Sequence, residues 1–445
     1  MDRTTVSAAP AAGARTAWVT ALLAVLAGPA LVHLLTSEPM GMWRQLSSVT
    51  GLVALSALVC TAALPSRLRG LTRAFGIETV VGLHRQLGIL SAVLIAVHLA
   101  AVVAANPTQV SLLMVSTAPN RARAAVAATV SIALLVVLAL YRRRFNLRYE
   151  VWRWLHVMLA VFVLGGSALH VLWLQHLVND AVMGPILTAL GMLVVVVFTM
   201  RWWGRSVLEH GGEFVVQAVR AENPTVTTLV LSPRDGGEGL RFSPGQFAWV
   251  RLQRSAVEEH PFTIASSAHD PRYTEFTIRG TGDFATGVRD LRPGESVWVD
   301  GPYGSFTCDD VPAAGLVLIA GGVGITPMMS MLRTAADRGD QRPHRLIYVA
   351  RDTGDLLFRD ELAMLRSYLD LEVTEVLRRP SAAWTGATGE IDVALLTSVL
   401  RTLDVGARND YFLCGPPSMV SDVHGALTVM GVADDHIHTE QFDMA

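Results

Sequence analysis

The sequence predicts a membrane α-helical bundle of six transmembrane helices, followed by an antiparallel β-barrel and then an α/β domain built on a parallel sheet. Three observations carry this. From Ala17 to Trp203 the chain is mostly apolar, in runs near 20 residues long. From Glu213 to about Thr307, short alternating runs are punctuated by Gly/Pro turns. From Ala314 onward, strand-like and helix-like stretches alternate around a glycine-rich turn.

Composition sets the bounds. A chain of 445 residues has room for two or three domains. Hydrophobic residues make up 51% and charged residues only 17%, against about a quarter charged in soluble domains. A net charge of −2 gives no reason to expect a nucleic-acid partner. Cys60, Cys308 and Cys414 are far apart, with no Cys-x-x-Cys, so nothing holds a cysteine-ligated iron–sulfur cluster or a disulfide framework.

The apolar half resolves into spans at 17–36, 46–64, 80–105, 122–141, 152–174 and 181–203, each long enough for a hydrocarbon core about 30 Å thick. The first span exceeds a signal-peptide core and no good cleavage signal follows it, so it is expected to be retained. Arg67, Arg69 and Arg73 lie between spans two and three. Arg142, Arg143, Arg144 and Arg148 lie between spans four and five, and Arg201 and Arg205 close span six. The opposite loops carry fewer, chiefly Arg44, Arg121 and Arg123. The arginine bias predicts a multi-pass cell-membrane protein in the lipid bilayer, with both termini in the cytoplasm. Trp152, Trp154, Trp202 and Trp203 fall where an inner interfacial belt belongs. The expected divisions are an N-terminal tail (1–16), the membrane domain (17–204), the barrel (210–308) and the α/β domain (312–445).

Histidines mark the membrane half. His84 and His98 lie in span three, His156 and His170 in span five, and each pair is 14 residues apart. On an α-helix, 14 residues rise about 21 Å and fall roughly 40° short of four turns, so each pair shares a face. The two spans run in the same direction, which sets His84 level with His156 and His98 level with His170. Two layers of facing imidazoles suit two haems with His at both axial positions. A lone intramembrane histidine equally suits a helix–helix hydrogen bond or a proton path. Two pairs at one spacing on parallel spans favour haem, and zinc would want three or four ligands together. His33 and His176 lack partners at this spacing and are not expected to ligate. Arg85 and Arg153 adjoin the inner layer, where they could meet haem propionates or snorkel to the interface.

After a linker at Ser206–Gly212, the alternating runs are Phe214–Val219, Thr225–Leu231, Gln246–Leu252, Glu275–Arg279 and Ser296–Asp300. With turns at Ser243-Pro244-Gly245 and Arg292-Pro293-Gly294, they predict the small barrel. Beyond it, the apolar run Gly315–Ala320 leads into Gly321-Gly322-Val323-Gly324-Ile325-Thr326-Pro327 and a helix at Met328–Arg338. A strand at Arg345–Ala350, a helix at Arg359–Leu369 and a strand at Tyr411–Leu413 before Cys414-Gly415-Pro416-Pro417 complete a parallel-sheet pattern. Glycines let backbone approach a pyrophosphate, and the helix N-terminus beyond offers free N–H groups. Thr326 is expected to cap that helix, with Pro327 at its first position.

The order of these motifs carries a resemblance. His260-Pro261-Phe262-Thr263, Gly301-Pro302-Tyr303-Gly304, Gly321–Pro327, Cys414-Gly415-Pro416-Pro417 and Glu440-Gln441-Phe442 resemble the ferredoxin–NADP reductase superfamily. With the four-histidine membrane domain ahead of them, residues 17–445 resemble the ferric reductase and NADPH oxidase family. The resemblance implies that the barrel binds FAD and the α/β domain NADPH or NADH. It implies that Phe262 packs on the isoalloxazine ring, that Thr263 reaches the flavin ring or ribityl, and that His260, beside Pro261, sits toward the ribityl or pyrophosphate. Soluble relatives have Arg where His260 stands. Gly280–Thr286 resembles the pyrophosphate loop, with Gly280, Gly282 and Thr286 as contacts and Ala285 where membrane members often have Thr. Gly321, Gly322, Gly324 and Thr326 would contact the nicotinamide nucleotide. Cys414 and Gly415 would lie near the nicotinamide, although a buried cysteine also serves as small packing. Phe442 would cover the other flavin face; a frayed terminal aromatic is the plain alternative. Thr263, Cys414 and Phe442 are thus the implied catalytic set. Arg351, just past its strand, could pair with a 2′-phosphate, whereas Asp352 beside it favours a plain ribose.

The expected chemistry is transmembrane electron transfer from cytoplasmic NAD(P)H through FAD and two b-type haems to an outer acceptor. The acceptor is a ferric chelate or O2 giving superoxide, reduced at a haem edge because both axial sites are filled. A second reading gives the electrons to a membrane or periplasmic redox partner protein. A third is a haemless transporter or anchor carrying a soluble flavin reductase.

Overall fold

The structure, a computed structural model, describes residues 12–66, 71, 74–75, 77–141, 144, 149–202, 212–234, 236–237, 239–254, 259–280, 282–309, 311–400 and 408–440. Phe442, most of the inner arginines (Arg67, Arg69, Arg73, Arg142, Arg143, Arg148 and Arg205) and Trp203 lie outside these residues. The chain divides into two compact units, Met1–Leu208 and Glu209–Ala445.

The first unit is helical. Helices run over Ala12–Thr36, Met42–Ala63, Ile77–Ala105, Asn120–Leu140, Tyr149–Leu172 and Met183–Trp202. Among the described residues, five stretches are long and apolar enough to cross a bilayer: Gly13–Thr36, Met42–Ala63, Thr79–Ala105, Asn120–Leu140 and Val151–Leu172. The apolar stretch of the last helix, Met183–Thr199, is shorter. Large apolar side chains such as Leu23, Val93, Leu134, Phe162 and Val195 point outward, the reverse of a soluble bundle and suited to lipid. Ile77–Ala105 packs chiefly on Met42–Ala63, and Tyr149–Leu172 chiefly on Asn120–Leu140. The two histidine-bearing helices therefore lean on different neighbours.

The second unit holds two six-stranded sheets. The first is antiparallel, with strands β1 (Gly212–Asn223), β2 (Val226–Pro233), β3 (Phe247–Arg251), β4 (His260–Thr263), β5 (Thr274–Arg279) and β6 (Ser296–Tyr303) in the order β4-β3-β6-β1-β2-β5. One bridge, Ile264 to Phe276, and the 2.7 Å bond from Ala265 N–H to the Glu275 carbonyl join the chain just past β4 to β5. Alternation puts Phe214, Val216, Leu229, Leu231 and Phe276 into one core. The turns at Gly245 and Gly294 use positive φ, 96° and 95°, as their Pro-Gly sequences require.

The second sheet is parallel: β7 (Gly315–Gly321), β8 (His344–Ala350), β9 (Leu371–Leu377), β10 (Ala387–Thr388), β11 (Asn409–Cys414) and β12 (Ile437–Glu440), ordered β10-β9-β8-β7-β11-β12. Every residue of β7 and β8 is buried, as central strands covered on both faces must be. Strands β9, β10 and β12 go beyond the sequence reading. Their alternation is too short, or too mixed with charge, to stand out without the neighbouring strand they pair with. The helix expected at Arg359–Leu369 stops at Leu365.

The helix Ile325–Arg338 ties the two sheets together. Ser330 Oγ donates to the Ser266 carbonyl at 2.9 Å, and Ala268 N–H donates to Thr334 Oγ1 at 2.9 Å. Half-buried Arg333 donates to the Ala265 carbonyl at 2.8 Å and to Glu275 on β5 at 3.0 Å. It also makes a two-pronged pair with Glu361 at 2.6 and 2.7 Å.

Candidate functional site

The four intramembrane histidines are all half-buried. His84 and His156 face one another, ring centroids 6.2 Å apart. A first-row metal ion held between two imidazole nitrogens at about 2.0–2.1 Å sets the ring centroids roughly 6.3 Å apart, so the inner pair has the separation of two axial ligands. Three of the four rings are oriented by backbone. His84 Nδ1 meets the Thr61 carbonyl at 2.9 Å, His98 Nδ1 the Ser47 carbonyl at 2.8 Å and His170 Nδ1 the Arg121 carbonyl at 3.0 Å. A carbonyl only accepts, so each Nδ1 carries the proton and Nε2 is the basic nitrogen, the usual arrangement around a ligating histidine. Gly51 makes room for the His98 ring, since a Cβ there would stand 2.9 Å from Nδ1. Among the described residues, no group of three or more His, Cys, Asp or Glu gathers into a zinc-type site. Arg85 is exposed and Arg153 half-buried.

In the soluble unit, the Gly321–Gly324 turn sits where strand order reverses, between β7 with β8 on one side and β11 on the other, the usual crevice of an open parallel sheet. A cavity of about 630 Å³ opens there, between the turn, the ends of β8 and β9, and Gly415–Met419. Only glycine fits at 324, because a Cβ would meet the Cys414 carbonyl oxygen at 2.3 Å. Thr326 does not cap the helix as expected. The helix begins earlier, at Ile325, and the Thr326 hydroxyl donates to the Val323 carbonyl at 2.5 Å, bracing the turn from within. Tyr348 is fully buried, and burial holds its hydroxyl well above the usual range, in its neutral form. That hydroxyl lies 3.2 Å from the Gly322 carbonyl and 3.3 Å from the Asp355 carbonyl, while Leu357 N–H donates to it. Cys414 is fully buried at the end of β11, and Gly415 lines the cavity.

Four arginines line this crevice: Arg279 from the end of β5, Arg351 just past β8, and Arg378 and Arg379 past β9. Asp355 takes Arg279 on one oxygen and Arg351 on the other, both at 3.1 Å, and Glu390 pairs with Arg378. Asp352 is occupied elsewhere, accepting the Gly354 N–H at 3.0 Å to cap a short turn.

On β4, paired with β3 so that His260 faces Val250 and Thr263 faces Phe247, alternation puts His260 and Phe262 on one side. Phe284 joins them from the helix Asp283–Asp290. The His260–Phe284 centroids lie 4.3 Å apart, and Phe262–Phe284 stack at 5.5 Å. Thr263 is buried, and its Oγ1 has no protein hydrogen-bond partner. Gly280 N–H donates to the Thr225 carbonyl at 3.0 Å. Exposed Thr286 turns its hydroxyl back to the Gly282 carbonyl at 3.1 Å.

Comparison with known proteins follows the same divisions. Family models match at three places: "Ferric reductase like transmembrane component" at residues 50–167, "FAD-binding domain" at 228–307 and "Oxidoreductase NAD-binding domain" at 318–425. Together they make the fused architecture of the ferric reductase and NADPH oxidase family. The chain matches that architecture in all three parts and in the same order. By these matches it is an oxidoreductase with domains for FAD and a nicotinamide nucleotide.

Curated relatives share part of the chain. The reductase component of propane 2-monooxygenase from Mycolicibacterium goodii is 30% identical over 233 residues, 51% of this chain and 66% of that protein. The flavohemoprotein of Bacillus subtilis (strain 168) is 27% identical over 237 residues, 52% of this chain and 58% of that one. The match therefore spans less than two thirds of these relatives' own length. Among solved structures, the FAD/NAD-binding domain of nitric oxide dioxygenase from Vibrio cholerae O1 biovar El Tor is 27% identical. It covers 52% of this chain and 98% of that one, with a TM-score of 0.46.

Several residues of this ferric reductase-type chain escape sequence reading. Phe284 sits inside a loop legible only by its glycines. Arg378 and Arg379 follow β9, a strand without a strong pattern, though the doubled arginine before Pro380 was itself a signal. Arg279 and Asp355 are 76 residues apart and meet only in the fold.

Proposed function

We propose that the chain moves electrons from cytoplasmic NAD(P)H across the bilayer to an outer acceptor, a ferric chelate or O2. In this reading six helices span the membrane, both termini and the flavin unit are cytoplasmic, and the six antiparallel strands form a barrel around FAD. His84 and His156 would hold an inner haem, and His98 and His170 an outer one. The observation that carries the reading is the inner pair: rings 6.2 Å apart, with His84 fixed through Nδ1 on the Thr61 carbonyl. Bound flavin and haem supply the change from a two-electron donor to one-electron transfer. The chain's own part is positioning. Thr263 offers an unpaired buried hydroxyl to a flavin edge, and His260, Phe262 and Phe284 offer a cluster of tilted aromatic rings on the other face of β4. The Gly321–Gly324 turn offers backbone N–H groups and the start of a helix to a pyrophosphate. Phe442 would cover the flavin until nicotinamide displaces it, and Cys414 would lie near the nicotinamide.

The test is a visible spectrum of the detergent-purified protein, first oxidised and then after anaerobic NADPH or NADH. The expected result is low-spin haem at about two per FAD, reduced by the nucleotide. Flavin without haem, in material made with adequate haem supply, would refute the four-histidine assignment and favour an anchored flavin reductase.

A further inference from the structure

Resting on that reading, we infer that Asp410, His436 and His438 form a clasp that positions Phe442, acting through the strand that precedes it. Strand β12 is an edge strand of only 4 residues, paired with β11 and with nothing on its other side. So few ladder bonds hold a strand weakly on their own. Side chains add the rest. Ile437 packs into the core on one face of the sheet. On the other, the His438 ring stacks on Phe412 of β11, centroids 4.5 Å apart, and Phe412 meets Phe306 edge-on at 5.4 Å. Asp410, fully buried on β11, closes the clasp. Its Oδ1 lies 3.2 Å from His436 Nδ1 and 2.9 Å from His438 Nε2. A carboxylate only accepts, so both ring nitrogens donate. Its Oδ2 is buried without a partner. A buried carboxylate is costly unless donors or positive charge answer it. Here both donors come from the short turn Asp434–His436 and from β12 itself.

Register gives the clasp its object. Glu440 lies opposite Cys414, at the end of β11, where Gly415 begins one wall of the crevice. Phe442 lies outside the described residues, yet two residues cannot carry it more than about 7 Å beyond Glu440. Whatever fixes β12 therefore fixes the origin from which Phe442 would reach the flavin. Asp410, His436 and His438 do not line the crevice, so they are positioning residues. Under the proposed function Phe442 yields its place to nicotinamide, and a ring held firmly in place competes with the nucleotide. A slack clasp weakens that competition. Nucleotide should then bind more tightly, the opposite of what general damage to the domain would do.

The experiment uses the full-length protein in detergent, loaded with FAD. Dissociation constants for NADP+ and NAD+ are read from the flavin difference spectrum. His438→Ala and Phe442→Ala should each tighten the better-bound nucleotide about 3- to 10-fold at unchanged FAD content, with no further gain when combined. His438→Gln keeps a side-chain donor and should return toward the wild-type value. His436→Ala, at the turn, should shift binding in the same direction and serves if His438→Ala does not fold. A second readout is optical: in Phe442→Trp an indole resting on the flavin quenches its emission, and adding His438→Ala should restore it. Additive gains in the combined variant would overturn the clasp and leave the proposed function standing. So would unchanged or weaker binding in both histidine variants while Phe442→Ala tightens it. No shift in Phe442→Ala would overturn the role of Phe442 itself, and the clasp with it.

Discussion

Gly51 offers a sharp test of the proposed outer haem site because the substitution is small and its target is not the proposed ligand itself. In Gly51→Ala the new methyl would lie 2.9 Å from His98 Nδ1 and 3.1 Å from Cε1, inside the roughly 3.4 Å at which such atoms ordinarily touch. The ring must retreat by a few tenths of an ångström. It cannot do so freely, because its Nδ1–H is held by the Ser47 carbonyl at 2.8 Å. Relief comes at the expense of that bond, worth about 0.5–1.5 kcal/mol net, and of the ring's aim. Disturbing the outer partner of a metal-bound histidine costs about 10–100-fold in metal affinity, or about 1.4–2.8 kcal/mol. The assay is haem per FAD from pyridine haemochrome and flavin absorbance, with the two haems resolved by redox titration. The expected outcome is loss or weakening of one haem, the other unchanged. Gly191→Ala serves as control: its methyl meets nothing within 4 Å, and alanine is the better helix former. Equal haem content and equal midpoints in the two variants would refute the placement of His98 as a ligand.

Two further outcomes follow from the soluble unit. Thr263→Val removes a buried hydroxyl that has no protein partner, so the apoprotein should lose no stability, while FAD affinity should fall about 3- to 10-fold in a fluorescence titration; unchanged affinity would place Thr263 in ordinary packing. His344 is fully buried at the start of β8, with Asp340 3.9 Å away and Arg342 and Asp370 also facing it, and burial lowers its pKa. The unfolded chain then takes up a proton near pH 6.5 that the folded chain refuses, so stability is full above that pH and declines as pH falls toward the lowered value, by up to about 1.4 kcal/mol per pH unit. Thermal release of FAD from the full-length protein should show this acid slope, and His344→Leu should flatten it.

The parts of the molecule legible in sequence are those whose signal is local. Fourteen-residue histidine spacing is a property of one helix, and so is a run of apolar residues. The Gly321–Gly324 turn announces itself because few sequences tolerate a carbonyl such as that of Cys414 so close. What stayed hidden depends on pairing across the chain. Arg279 and Asp355 become partners only when β5 and the loop after β8 converge, and Phe284 joins His260 only through a short helix that packs over the sheet. Thr326 shows a subtler failure: its sequence position suits a cap, but the preceding glycines let the helix start sooner, and the hydroxyl was then free to brace the turn.

The helix Ile325–Arg338 has one more consequence. It begins at the glycine turn that lines the crevice, and its later turns are fastened to the segment after β4 and to β5 by Ser330, Arg333 and Thr334. The FAD-type and NAD-type domains are thus joined by a single beam. Separating these domains would break the half-buried Arg333–Glu275–Glu361 ion-pair network rather than swing a hinge. Under the proposed function, the spacing between donor and acceptor would be set by this helix during folding.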